Sequence, residues 1–557
     1  MSAFKIKNRM VGDGYPAYII AEMSANHAGS MERAKEIIRE AKRCGADCIK
    51  IQTYTPDTLT IDCHNKYFQV ENGTWEGENL YSLYGKAYTP WEWQQELKEE
   101  ADRVGIDFLS TPFDTTSVDF LEEIGLEFYK IASFEMIDLP LLRYIASKGK
   151  PIIMSTGMST LEEIKESVEA IKACGNDQIA LLKCSSAYPA LPEQMNLRTI
   201  VDLKERFDLP IGLSDHSMGH MSATTAVTLG ANIIEKHFCL GREIENPDAS
   251  FSMTPAEFKE MVDAVRQVEA ALGKVFYGVA PQEESSMVFR RSIFVVEDVK
   301  AGERLTEKNT RIIRPGYGVK PKYIEDVLGM SSKIREADSI AGMKVNRDIE
   351  RGTPFTFDLV AGGSILFLTN NKDSLALYEW LKEAEPDKEV YVISNKIHLD
   401  MVKQLKPAFI VSYNYRHIVP ADVLEYMQGK AVNLHVSLLP FNRGSSPNFF
   451  SFLDNTPKGV TIHEMTAGLD KGRILCQKEL VFDEEQETFA SSYAKLQQEI
   501  MGLFKENWEA IKTGKCEGFL PEGKGTYHTM KELEEFRQKH PFAWDEKIAE
   551  CKRRWGV

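Results

Sequence analysis

The chain has 557 residues, of which 67 are basic and 83 acidic, for a net charge of −16, with 43% hydrophobic and 27% charged side chains. At ~150 residues per domain that length implies about three or four domains able to bury cores. The acidic balance argues against nucleic acid or an anionic membrane surface as the main partner.

The opening run, MSAFKIKNRMVGDGYPAYII, lacks the apolar stretch and cleavage site of a secretory signal, and no segment is apolar enough to span a bilayer. The expected location is therefore cytoplasmic, with no membrane partner. Nine cysteines without a Cys-x-x-Cys pair do not describe a disulfide framework, and Cys44 and Cys48 read as small packing residues.

From residue 17 to about 272, short β-branched runs alternate with amphipathic helical stretches. Eight strand candidates fall at 17–23, 48–54, 107–113, 128–133, 151–156, 179–186, 210–216 and 233–238. Eight β-α units in ~250 residues predict a (β/α)8 TIM barrel, in which catalytic groups gather at the C-terminal strand ends. The candidates do end in such groups: Glu22, Lys50 and Gln52, Thr111, Lys130 and Ser133, Ser155, Ser185, Asp215 and His216, then Lys236 and His237. A long connection, 55–90, carries Tyr67, Phe68, Trp75, Tyr81, Tyr84 and Tyr88 and reads as a lid or sugar-facing wall, or else as a surface excursion packed on itself.

Beyond about residue 285 short strand-like pieces replace the helices, then Gly362 and Gly363 form a joint. A second α/β pattern follows, with strand candidates ILFLT, VYVIS, FIVSYN, AVNLH and GVTIHEM, as in an open Rossmann-like sheet. The polar tail from about 520 holds Trp544 and Trp555, expected to pin it down. The domains expected are a barrel over 1–284, a small β-rich module over 285–361 and a Rossmann-like domain over 362–557.

His216 and His237 end successive strands, so a barrel sets their imidazoles side by side, an arrangement suited to one divalent metal ion with positions left for substrate oxygens, or else to two hydrogen-bonded structural histidines. Lys50 and Lys130, with the hydroxyls of Thr111, Ser133, Ser155 and Ser214, suit a phosphorylated carboxylate. Glu22 reads either as an acid or base towards the incoming carbonyl or as a salt-bridge partner of one of those lysines.

In AVNLHVSLLPFNRGSSPN, strand alternation puts Asn433 and His435 on one face. An amide donor beside an imidazole can stabilise an oxyanion and move a proton, as acyl transfer requires, with Asp470 of TAGLDKGRIL returning to orient the histidine. A hydrogen-bonded structural pair is the alternative. The TNN that ends the first strand is not a glycine-rich dinucleotide loop.

The ordered motifs IIAEMSANHAGSMERA, GADCIKIQTYTPDTLT, STPF, YKIASFE, STGM, KCSSAYP, GLSDHS and IIEKHF resemble the sialic acid synthase family, and SANHAGS with KIQTYTPDTLT resembles its pseudaminic acid synthase branch. RSIF and IIRPGYG are similar to the antifreeze-like (SAF) domain that follows the barrel in that family. The resemblance implies condensation of phosphoenolpyruvate with a 2,4-diacetamido-2,4,6-trideoxyhexose. It implies His216 and His237 as ligands of Mn2+ or Mg2+, and Lys50, Thr111, Lys130, Ser133, Ser155 and Ser214 as the phosphoenolpyruvate cradle. Gln52, Glu135, Tyr188 and Asp248 fall on the sugar side. The resemblance also implies a homodimer in which the antifreeze-like domain of one subunit caps the other's barrel, bringing Arg314 to the sugar. Ser186 stands where sialic acid synthases tend to have asparagine, which argues against N-acetylmannosamine.

The Asn-x-His, SLLP, RG-x-x-P and Asp-x-Gly elements resemble the formyltransferase family, implying 10-formyltetrahydrofolate as donor and an amine as acceptor. Competing readings are sialic or legionaminic acid synthesis and a carbohydrate-binding protein with an inactive barrel.

Overall fold

The computed structural model describes residues 3–71, 75–329 and 340–557. Residues 72–74 of the aromatic connection and 330–339 of the β-rich module therefore lie outside the described residues. The chain forms two compact units, Met1–Tyr277 and Gly278–Val557.

All eight predicted strands of the first unit are present and close into a parallel barrel: Tyr18–Glu22, Cys48–Thr53, Asp107–Pro112, Tyr129–Ile131, Ile152–Ser155, Ile179–Cys184, Ile211–Asp215 and Ile233–His237. The eighth closes on the first, with Ile233 opposite Tyr18 and His237 opposite Glu22. Helices between strands form where the apolar spacing demands. In Met31–Arg43 the buried residues are Ala34, Ile37, Ile38 and Ala41, one face of a helix whose start is capped by Ser30.

The two-residue period of the strands sorts each into an outward and an inward set. Ile19, Ala21, Ile49 and Ile51 face the helices, whereas Tyr18, Ile20, Cys48, Leu109, Phe128, Ile153, Ala180, Leu182 and Ile233 fill the interior. An N-terminal hairpin, Ala3–Ile6 with Arg9–Gly12, contributes Phe4, Ile6 and Val11 to this inner cluster. Gly212 is demanded here: a Cβ would lie 2.4 Å from the Ile233 carbonyl oxygen and 2.6 Å from Leu182 Cδ2. One further inward step along each strand, the apolar filling gives way to Glu22, Lys50, Thr111, Lys130, Ser155, Ser214 and Glu235, all buried.

The second unit opens with an antiparallel pair, Ser292–Val295 and Thr310–Ile313, and a short helix, Ile324–Leu328. A six-stranded sheet follows in the order Val390–Ile393, Ile365–Leu368, Phe409–Tyr413, Ala431–His435, Lys458–Glu464, Ile474–Leu480. The first four strands are parallel, the fifth runs antiparallel to them, and the sixth pairs antiparallel with the fifth. The sequence pattern missed the sixth strand, an edge that carries Lys478 and Glu479 and so reads as a polar linker. The helix Phe489–Lys512 covers one face, packing Leu496, Ile500, Phe504 and Trp508 on Ile365, Phe367, Phe409 and Val411. Trp555 and Trp544 pack against Phe542 in the aromatic cluster that anchors the tail.

The opposite face of that sheet is covered in part by the β-rich module. Leu366, Leu368, Tyr391, Ile393 and Ile410 share one cluster with Ile293, Val295, Tyr323, Val327, Phe355 and Phe357. Asp326 accepts from the Ser394 amide at 2.8 Å and from Asn395 Nδ2 at 2.9 Å; burial pushes its carboxyl up to about 6, with these hydrogen bonds opposing. A chain starting at residue 362 exposes an apolar face, whereas one starting at Gly278 keeps it covered. The shorter piece is expected to aggregate and the longer to unfold cooperatively in denaturant titrations; equal solubility and stability of the two would contradict the shared core. Among the described residues no helix is long and apolar enough to cross a membrane.

Candidate active sites

The barrel mouth is organised by one carboxylate. Glu235 Oε1 lies 2.8 Å from Lys50 Nζ, its Oε2 lies 3.8 Å from Lys130 Nζ, and Ser214 Oγ donates to Oε1 at 3.4 Å. Lys50 Nζ also lies 2.5 Å from Glu22 Oε2, so Glu22 is placed as that lysine's ion-pair partner. Burial lowers Lys50 to about 8 although Glu235 opposes it. At Glu235 burial raises the carboxyl, but Lys130 and Lys50 outweigh it and hold it well below the usual carboxylate range. The cluster is therefore two buried ammonium groups paired with two buried carboxylates.

The hydroxyls gather around it. Lys130 Nζ donates to Ser155 Oγ at 2.6 Å, while Ser133 Oγ accepts from the Gly157 amide at 3.1 Å. Gly157 permits this approach, since a Cβ there would fall 2.7 Å from Ser133 Oγ. Thr111 Oγ1 is buried without a hydrogen-bond partner, as is Glu135 Oε2. Burial raises Glu135 to about 7 against the pull of its own amide and the Lys130 charge.

Next to the lysines stand the two histidines, with ring centroids 5.4 Å apart. His216 Nδ1 lies 2.9 Å from the Ser185 carbonyl, to which it donates, leaving Nε2 as a lone pair. His237 Nδ1 is buried without a hydrogen-bond partner, and its nearest carboxylate oxygen, Asp248 Oδ2, is 3.9 Å away. Burial holds His237 well below the ordinary imidazole range, with the Lys50 charge acting in the same direction, so the ring is neutral. Two adjacent imidazoles, one with an orphaned nitrogen, fit a divalent cation whose other positions take oxygens. Among the described residues no group of three His, Cys, Asp or Glu side chains is arranged to hold a metal.

Around the histidines, Tyr188 packs against His216 with centroids 4.2 Å apart, Asp248 Oδ2 accepts from the Ala25 amide at 3.2 Å, and Gln52 Nε2 donates to Ser24 Oγ at 3.0 Å. Asp215 and Lys236, grouped with the strand-end chemistry in the sequence, turn the other way. They pair at 2.7 Å, and Lys236 donates to the Gly219 carbonyl, bracing the loop beyond His216. Arg314 belongs to the second unit, where it is exposed after Thr310–Ile313. Glu235 was missed, although its position two residues before His237 on one strand was the available signal.

The second constellation lies in the Rossmann-like sheet. Asn433 and His435 share a face of Ala431–His435. Asn433 Nδ2 is 3.4 Å from Asp470 Oδ1, and His435 Nδ1 is 3.8 Å from Asp470 Oδ2. His463, opposite Asn433 in the antiparallel register, is nearer than His435, with Nε2 at 3.4 Å from Asp470 Oδ1. This second histidine of the site was not singled out in the sequence, although GVTIHEM ends beside AVNLH. Asp470 adopts φ +49° in the turn that returns it and accepts from the Gly444 amide at 2.9 Å. Burial raises its carboxyl, but His435, His463 and that amide together hold it well below the usual range. These groups line a cavity of about 1270 Å³ with Tyr415 and Trp544 on its walls, larger than the ~300–1,000 Å³ typical of a pocket for one small molecule.

Fold and sites thus combine a parallel barrel whose mouth holds buried lysines beside paired imidazoles with a Rossmann-like sheet that carries Asn433, His435 and Asp470 together. Residues 37–277 match the NeuB family, 290–335 the SAF domain and 385–504 the formyl transferase family. A pseudaminic acid synthase from Campylobacter jejuni subsp. jejuni serotype O:23/36 (strain 81-176) is 45% identical over 335 residues, 60% of this chain and 94% of the relative. One from Helicobacter pylori (strain ATCC 700392 / 26695) is 42% identical over 326 residues, 58% of this chain and 96% of the relative. The crystal structure of the formyltransferase PseJ from Anoxybacillus kamchatkensis, in complex with UDP-4,6-dideoxy-4-formamido-L-AltNAc and tetrahydrofolate, is 36% identical with a TM-score of 0.31, covering 34% of this chain and 97% of that one. The chain belongs to the NeuB family, as a sialic acid synthase-type transferase that also carries a formyltransferase domain.

Proposed function

We propose that the barrel condenses phosphoenolpyruvate with a 2,4-diacetamido-2,4,6-trideoxyhexose to give pseudaminic acid and phosphate, and that the second unit transfers a formyl group from 10-formyltetrahydrofolate to an amino sugar. The observation that carries the first reading is the Glu235-bridged pair Lys50 and Lys130 beside His216 and His237. The relatives that bear the pseudaminic acid synthase name support the choice of sugar.

Lys50 and Lys130, with Thr111, Ser133, Ser155 and Ser214, bind the phosphate and carboxylate oxygens of phosphoenolpyruvate. A Mn2+ or Mg2+ ion held by His216 and His237 would supply Lewis-acid polarisation of the sugar aldehyde. Gln52, Tyr188, Glu135 and Asp248 orient the sugar so that C3 of phosphoenolpyruvate meets its C1. Water then adds at C2, the bond from C2 to the phosphate oxygen breaks, and Glu22 moves the protons once an anion has taken its place on Lys50. Arg314 of a second copy completes the sugar site in a homodimer working in the cytoplasm. In the second unit Asn433 and His435 stabilise the oxyanion that forms when the amine attacks the formyl carbon, Asp470 orients them, and the intermediate collapses as the bond from that carbon to N10 of the folate breaks and the amine's proton passes to the departing nitrogen.

Full-length protein is expected to release phosphate only when both phosphoenolpyruvate and the trideoxyhexose are present, and tetrahydrofolate only with an amino sugar. Phosphate release that ignores the sugar refutes the first reading, and formyl-donor turnover that ignores the amine refutes the second.

Glu135 gives a pH-dependent expectation. Its folded-state value, about 7, lies above the ordinary 4.5. The stability it contributes is fully present below about pH 4.5 and is lost as pH rises through about 7. Glu135→Gln is therefore expected to be more stable than the parent at pH 8.5, by ~1–3 kcal/mol, and little changed at pH 4.5. Thermal unfolding at both values checks it, and an equal shift at the two would contradict the buried ionisation.

A further inference from the structure

Trp75 belongs to the connection after the second barrel strand and has no part in either reaction as described. Its ring centroid lies 5.5 Å from that of Tyr188, tilted by 45°, and its Nε1–H donates to the Pro247 carbonyl at 3.1 Å. Pro247 directly precedes Asp248, so the indole is fastened beside two groups on the sugar side. Tyr188 continues the contact inward, 4.2 Å from His216 and 5.2 Å from Phe251, whose ring is 5.0 Å from His237. The same connection supplies Tyr84, packed edge-on against Tyr54 at 5.8 Å; burial raises its phenol, with the Glu135 charge adding to the shift. Trp75 therefore stands, through Tyr188, on the histidine side of the mouth.

We propose that Trp75 is a specificity-determining residue, the apolar wall against which the methyl end of a 6-deoxy acetamido sugar rests. The inference depends on the condensation proposed above. A sugar whose aldehyde carbon sits at the paired imidazoles extends past Tyr188, and the next surface it meets is the indole. That surface has no hydrogen-bonding group to spare, because the single polar atom of Trp75 is engaged by Pro247. A methyl group gains burial there, whereas a hydroxymethyl group loses its bond to water and finds no replacement. A difference of this kind discriminates by roughly tenfold to a hundredfold.

The test uses full-length protein with two sugars, the 2,4-diacetamido-2,4,6-trideoxyhexose and its 6-hydroxy counterpart, measuring kcat/KM for each and KM for phosphoenolpyruvate. Wild type is expected to prefer the 6-deoxy sugar by about tenfold to a hundredfold. Trp75→Ala is expected to lose that preference with KM for phosphoenolpyruvate unchanged, and Trp75→Phe to restore most of it. Trp75→Gln, which gives the wall a hydrogen-bonding group and keeps bulk, is expected to move the preference towards the hydroxylated sugar and serves if the alanine variant does not fold. An equal loss on both sugars, or no preference in wild type, overturns the assignment of Trp75 while leaving the condensation standing. No phosphate release from wild type with either sugar overturns the condensation and this inference together.

Discussion

Replacing His237 by alanine is expected to lower sugar-dependent phosphate release about a thousandfold or more, because it removes one of the two imidazoles proposed to hold the cation. Lewis-acid stabilisation of the aldehyde oxygen is worth several kcal/mol, and ~4 kcal/mol corresponds to roughly three powers of ten. The effect separates from folding. His237 sits at the end of Ile233–His237 with its Nδ1 unpartnered, so its truncation breaks no hydrogen bond of that atom. Whatever the lost ring contacts with Phe251 and His216 cost it without metal, the variant should lose the stabilisation that Mn2+ brings to the parent and gain no activity from excess metal. Near-normal turnover by His237→Ala would remove the metal from the mechanism and leave the lysine cradle to explain catalysis alone.

Asp470→Asn is expected to lower formyl transfer by ~10²–10⁴ while leaving the condensation untouched. The carboxylate is the one negative group among Asn433, His435, His463 and the Gly444 amide. Removing its charge leaves the imidazoles without their counter-ion at the moment an oxyanion forms nearby. Because the carboxyl is held well below the usual carboxylate range, it is ionised across the working range, so its titration should leave no mark on the parent's pH profile for formyl transfer. Tetrahydrofolate release from the piece beginning at Gly278 reads this site alone. Unchanged release by Asp470→Asn would mean that Asp470 merely braces the Gly444 turn.

The barrel was legible because two periodicities agree in the sequence, a two-residue strand period ending in polar groups and a helical period between strands. The same alternation carried further separates Glu235 and His237, which face the mouth, from Lys236, which does not. Counting strand-end residues without their phase is why Asp215 and Lys236 were grouped with the chemistry and Glu235 was passed over. Glu22 shows the other limit: its position is readable, but its pairing with Lys50 depends on which neighbours the closed barrel brings within 2.5 Å. His463 and the strand Ile474–Leu480 were hidden for a related reason, since antiparallel pairing across the sheet sets their partners. The shared core of the β-rich module and the sheet has no local signature, because Ile293 and Ile410 are far apart in the chain and each looks like an ordinary strand residue.

The most direct measurement is mass spectrometry of the product formed by the full chain from phosphoenolpyruvate labelled with 13C at all three carbons and the trideoxyhexose. The expected product carries the three labelled carbons joined to the intact sugar, with one phosphate released for each. Labelled pyruvate accumulating beside unchanged sugar would show that the lysine cradle binds and hydrolyses phosphoenolpyruvate without forming the carbon–carbon bond, and would contradict the function proposed for the barrel.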